Sequence, residues 1–205
     1  MSNQQDLQLI LASASPRRQQ LLQQIGFDPI CTGVDIDEQP LPDETPRQLV
    51  TRLAAAKANQ YLRQWRELQD HGKPIVVQAA DTVLDLDGQI LGKPEDRGTA
   101  ITALECMASR EHQVITGVCV QDTANFCDTA TVTTLVRFGP LTRAQAEAYW
   151  ETGEPADKAG SYAIQGLGAQ FVSHLSGSYS NVVGLPLYET SMLLRRAGLS
   201  PALSG

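Results

Sequence analysis

The chain has 205 residues and a formal net charge of −7, with 16 Lys and Arg against 23 Asp and Glu. That length suits one domain spanning 1–205 with a real core. The acidic excess disfavours a nucleic-acid polymer or an anionic membrane surface as partner, so any anionic ligand must meet a local cluster of cations.

Met1 to Gln8 is polar and lacks a basic stretch, and the apolar run after it is too short for a signal peptide or a membrane span. A cytoplasmic protein is the expectation. The segment LILASASPRRQQLL, Leu9 to Leu22, reads as a strand over Leu7–Ala12 that ends in small residues before a helix opens. Ser15 suits the N-cap and Pro16 the first helical position, where the missing N–H costs nothing. Arg17 and Arg18 then sit in the first turn, where the helix dipole would favour acids. Free N–H groups and two guanidinium groups pointing the same way suit a phosphate. The competing reading is a capped helix with two solvated arginines.

The loop Asp35–Pro46 carries VDIDEQP, whose Asp35, Asp37 and Glu38 offer oxygen ligands to a hard cation or are simply solvated. Thr45, Pro46 and Gln48 form a capping-box start for a helix running to about Arg66. Lys57 falls four residues after Leu53 and eight after Leu49, on the apolar stripe of that helix. An inward lysine needs an anion; otherwise its stem snorkels to the rim.

Strands are expected at Ile75–Ala79 and Val83–Leu86, which places Asp81 at the C-terminal end of the first, where catalytic groups of open α/β sheets collect. Asp87-Gly88 is a two-residue turn signal, so Leu86 should pair with Gln89 in a strand Gln89–Leu91. Continuing that ladder sets Thr82 opposite Lys93, with Asp81 one step away. A surface Asp–Lys pair of little consequence is the alternative. Further strands read at Gln113–Val120 and Thr129–Phe138, with helices at Gly98–Ala108, Thr142–Glu151 before Gly153, and Leu187–Ala197 before Gly198. The result is a three-layer or open-sheet α/β protein with a mixed sheet. GEPADKAGSYAIQGLG, with Lys158 and Gln165, and GSYSNVVGLP are glycine-rich, for tight turns or close approach to a ligand.

Cys31, Cys106, Cys119 and Cys127 lack metal-ligand spacing and read as reduced core thiols. His71, His112 and His174 show no partner pattern, and GxSxG, GxxxxGK[ST] and GxGxxG are absent.

LASASPRR at 11–18, VDIDE at 34–38, AAKA around Lys57, AADTV at 79–83, GKPED at 92–96, HQVITGV at 112–118, GEPADKAGSYAIQG at 153–166 and GSYSNVVGLPL at 177–187 together resemble the Maf family of nucleoside triphosphate pyrophosphatases. The resemblance implies an elongated mixed β-sheet flanked by helices, with a central cleft, similar to inosine triphosphate pyrophosphatases. It also implies cleavage of a nucleoside triphosphate between its α and β phosphates. The family's catalytic base falls on Asp81, its substrate-discriminating positions on Arg17, Thr82 and Gln165, and its polar cleft residues on Ser13, Arg18, Glu38, Lys57 and Lys93. PRR, DT and IQG resemble the branch acting on dTTP and UTP, which clears nucleotide pools. The alternatives are the 7-methyl-GTP branch and a non-catalytic nucleotide-binding regulator of septum formation.

The chain departs from the family pattern at Gln78, Ala79, Ser109 and Ala163. On the combined reading Arg17, Arg18, Lys57 and Lys93 neutralise the triphosphate, and Asp81 with Glu38 holds a divalent cation, Mg2+ or Mn2+, with two jobs open to Asp81, metal ligand or base for the attacking water. A homodimer is the assembly the family suggests.

Overall fold

A computed structural model of the chain describes residues 7–68 and 73–201; His71 and the polar start 1–6 lie outside them. The elements are β1 (Gln8–Leu11), α1 (Pro16–Gln24), β2 (Ile30–Cys31), α2 (Pro46–Glu67), β3 (Ile75–Leu86), β4 (Gln89–Leu91) and α3 (Arg97–Met107). They continue with β5 (Glu111–Asp122), β6 (Cys127–Phe138), α4 (Arg143–Trp150), three 3₁₀ turns over 154–171, β7 (Val172–Ser176), α5 (Tyr179–Val183) and α6 (Leu187–Arg196). Strand pairing follows the order β2-β1-β3-β5-β6-β7, with β4 on β3. The sheet is mixed: β1 pairs in parallel with β2 and β3, while β3–β4 and β6–β7 are antiparallel. The expected α/β class therefore holds. Contacts group the chain into two compact units, Met1–Asp81 with Thr116–Thr131 and Gly184–Gly205, and Thr82–Ile115 with Val132–Val183.

The first unit is built on two successive strand–helix–strand passes. Ile10 of β1 lies opposite Ile30 and Val77, as parallel β-α-β connections require. Helix α2 begins at Thr45 with the foreseen capping box: the Thr45 hydroxyl accepts from the Gln48 N–H at 3.3 Å, and the Thr45 N–H donates to the Gln48 side chain at 2.9 Å. It lays Ala54, Ala58 and Leu62 against Ile10, Ala12, Ile75, Val77 and Ala79. Small residues on both sides bring helix and sheet close. Gly117 of β5 meets the same helix, and a Cβ there would strike the Val50 carbonyl, so no other residue fits.

In the second unit the rings of Phe138, Tyr162 and His112 stack edge to face, with centroids 4.9–5.5 Å apart. His112 is 2% exposed, its Nε2 lies 2.9 Å from the Tyr162 hydroxyl, and burial pushes its pKa down to about 4.

Several expectations change. The stretches Ile75–Ala79 and Val83–Leu86 are one twelve-residue strand, so Asp81 stands mid-strand. The parallel partner β1 nevertheless ends at Leu11, opposite Gln78, which leaves Asp81 just beyond the parallel part of the ladder. Leu86 does pair with Gln89, but β4 stops at Leu91, so the β3–β4 ladder runs only as far as Leu84 opposite Leu91. Gly92 instead gives its carbonyl to the Gly160 N–H at 2.9 Å, and Pro94 has no N–H with which to extend the pairing. The cysteines are free, as expected, but only Cys119 is buried; Cys31, Cys106 and Cys127 are exposed. Strands β2 and β7 and helix α5 were not anticipated.

Candidate active site

Helix α2 carries Lys57 inward. The residue is 8% exposed, and its ammonium donates to Asp81 Oδ1 and lies beside Glu38 Oε1, each at 2.7 Å. Asp81 shares the α2-facing side of β3 with Ile75, Val77 and Ala79, the alternate residues before it, and is also 8% exposed. Glu38 reaches in from the acidic loop with its side chain 57% exposed. Snorkelling is thus excluded for Lys57, whose needed anion is a pair of carboxylates. The expected cluster of four cations is altered accordingly, because Lys57 is committed to Asp81 and Glu38.

The turn after β1 supplies the next groups. Ser13 is 8% exposed, and its hydroxyl accepts from the Ser15 N–H and from Arg18 Nη1, both at 3.2 Å. Arg18 Nε donates to the Gly184 carbonyl at 2.9 Å. Burial lowers the Arg18 pKa, the negative charges of Asp81 and Glu38 oppose that shift, and Arg17 adds to it. Ser15 occupies the N-cap position of α1, but its hydroxyl makes no cap bond. The first turn of α1 is led by Pro16, with half-buried Arg17 after it.

Ser13, Arg17, Arg18, Glu38, Lys57 and Asp81 all belong to the first unit, whereas Thr82, Lys93 and Gln165 belong to the second. Thr82 is half-buried on β3, and Lys93 and Gln165 are exposed. The Gly184 carbonyl, which fixes Arg18, was not singled out from the sequence. The sequence marks its segment, GSYSNVVGLP, by its glycines and as a family motif, neither of which points to that carbonyl.

Asp81 and Glu38 are hard oxygen donors converging on one cation, as a divalent-metal site requires. Among the described residues no group of three His, Cys, Asp or Glu side chains forms a metal cage. Two carboxylates plus phosphate oxygens and water fit Mg2+ or Mn2+, which is seldom bound by protein ligands alone.

A family model described as "Maf-like protein" matches residues 8–197. The chain belongs to the Maf family. Among Maf relatives, a Pseudoalteromonas atlantica protein named dTTP/UTP pyrophosphatase is 49% identical over 192 residues, covering 94% of this chain and 98% of its own. Acinetobacter baylyi and Pasteurella multocida proteins of the same name are each 45% identical, covering 91% and 95% of this chain and 97% and 98% of theirs. A solved Mycobacterium abscessus structure, titled as a nucleoside-triphosphatase / dITP/XTP pyrophosphatase, aligns with a TM-score of 0.42 and 10% identity, over 93% of this chain and 95% of that one. No helix among the described residues of this Maf protein is long and apolar enough to cross a membrane.

Proposed function

We propose that this protein hydrolyses dTTP and UTP between the α and β phosphates, releasing pyrophosphate and the nucleoside monophosphate. The observation that carries the reading is Lys57, buried in a helix face and held between Asp81 and Glu38. Charge concentrated in this way at the end of a parallel strand pair suits phosphoanhydride chemistry better than it suits stability.

Asp81 offers Oδ1 to Lys57 and uses Oδ2 to take a proton from the attacking water. Arg18, oriented by Ser13 and the Gly184 carbonyl, and Arg17 balance negative charge that grows on the departing pyrophosphate. Lys93 adds a further cation. Asp81 and Glu38 would hold Mg2+ or Mn2+, which when bound neutralises phosphate oxygens and acidifies water. Thr82 and Gln165 face the base, where the Gln165 amide gives one acceptor and one donor to the N3–H and O4 edge of uracil or thymine. On this reading the setting is the cytoplasmic nucleotide pool and the assembly a homodimer.

Pyrophosphate release from UTP, dTTP, CTP and 7-methyl-GTP, assayed with Mg2+ for the wild type and Asp81→Asn, tests the proposal. UTP and dTTP should be preferred, and the variant should fall by roughly 10²–10⁴ in rate. Retention of more than a tenth of the activity would remove Asp81 from the mechanism. No turnover of any triphosphate would remove the activity.

A further inference from the structure

Gln165 is exposed, and a glutamine side chain on a free loop reads a base poorly because it must be ordered each time. Its loop is not free. The Tyr149 hydroxyl donates to Glu154 Oε1 at 2.5 Å and accepts from the Ala163 N–H at 3.1 Å. Glu154 Oε1 also accepts from the Gly168 N–H at 3.0 Å, and Oε2 accepts from the Leu167 N–H at 2.9 Å. The backbone is therefore tied two residues before Gln165 and two and three residues after it.

The glycines of IQGLG make this possible. A Cβ on Gly166 would fall on the Glu154 carboxylate, and one on Gly168 would lie 2.6 Å from the Tyr149 hydroxyl. Tyr149 is itself 3% exposed, at the end of α4, with its ring edge to face against Phe171 at 5.1 Å. Burial pushes the Glu154 carboxyl upward, yet the bonds from Tyr149, Gly168 and Leu167 outweigh that and hold it below the ordinary value.

We infer that Tyr149 and Glu154 are positioning residues for nucleotide specificity: they clamp the loop Ala163–Gly168 around Gln165, so that its amide is presented to the base already ordered. This rests on the reading of Gln165 as the base-recognition residue. The bonds of Tyr149 and Glu154 to Ala163, Leu167 and Gly168 all lie within the second unit, whereas Lys57 and Asp81 belong to the first, so the clamp governs which nucleotide is held and not how fast it is cut.

Glu154→Gln keeps the size of the side chain but sets an NH₂ group against donors that now meet a carboxylate oxygen. KM for UTP should rise about tenfold, kcat should stay within about threefold, and the kcat/KM preference for UTP over CTP should drop about tenfold. Gln165→Ala, measured beside it, should lower the same preference, and adding Glu154→Gln to Gln165→Ala should lower it little further. If Gln165→Ala changes the preference and Glu154→Gln does not, the clamp is wrong while base reading stands. An unchanged preference in Gln165→Ala overturns both.

Hydrogen exchange of the 163–168 amides in nucleotide-free protein gives a readout that needs no activity. Exchange should be at least tenfold faster in Glu154→Gln, and also in Tyr149→Phe should the first variant fail to fold. Exchange at the wild-type rate in a folded variant overturns the clamp.

Discussion

Placing an ammonium on the sheet-facing side of a helix is unfavourable unless carboxylates meet it, and at Lys57 two do. They are not equivalent. The Asp81 side chain is 12% exposed and that of Glu38 57%, so Asp81 depends on Lys57 for its charge balance far more than Glu38 does. Lys57→Met should therefore act twice, leaving a buried carboxylate unpaired and removing a group from the reaction. Loss of about 3–5 kcal/mol is the usual consequence of breaking a buried pair. Urea denaturation should show a stability loss of that order, together with a fall of roughly 10²-fold or more in kcat/KM. Combining Lys57→Met with Asp81→Asn should restore part of the stability and none of the activity. A single variant with wild-type stability would show that the pair does not form. Lys57's position on its stripe was readable at helical spacing, whereas the identity of its anions was not, because Glu38 and Asp81 come from a loop and a strand with no sequence relation to one another.

At the level of elements, what was legible depended on how local the signal was. Helix α2 announced itself through a capping box and a periodic apolar stripe, and the Asp87-Gly88 turn announced the β3–β4 hairpin with its register. Strand β2, only Ile30–Cys31, and β7, paired with β6 through a bulge at Arg137/Phe138, carry too little pattern of their own and exist because a neighbour pairs with them. Ser109, one of the expected departures from the family pattern, takes a left-handed φ of 57° in the turn before β5.

His112 on β5 shows the same limit. Its motif HQVITGV gave it no partner, yet tertiary packing buries it against Phe138 and Tyr162 and holds its pKa near 4 rather than 6.5. A folded-state pKa below the unfolded one means that, between those values, the unfolded chain binds a proton that the fold refuses. This contribution is fully present above about pH 6.5 and is lost as pH falls toward 4, to a total of roughly 3 kcal/mol. His112→Gln should flatten that part of the stability–pH curve measured by urea melts from pH 7.5 to 4.5. A variant whose curve runs parallel to the wild type would mean that His112 is not held neutral.

For the whole molecule, ordered motifs along the chain pointed to the family, but motif order says nothing of how contacts partition the chain. Contacts divide it into two compact units, yet β3, β5 and β6 each pass from one into the other, at Asp81–Thr82, Ile115–Thr116 and Thr131–Val132. Unfolding either unit removes residues from strands that the other uses. The one-domain expectation then becomes a thermodynamic statement: the chain should melt in a single calorimetric transition, with equal van't Hoff and calorimetric enthalpies. A non-hydrolysable UTP analogue with Mg2+ at about 100 times its Kd stabilises the native state by about 2.7 kcal/mol. For a chain of this length that corresponds to roughly 5–10 °C in Tm, and the whole transition should move together. Two transitions, with the analogue shifting only one, would mean that the units unfold independently and that the shared strands do not couple them.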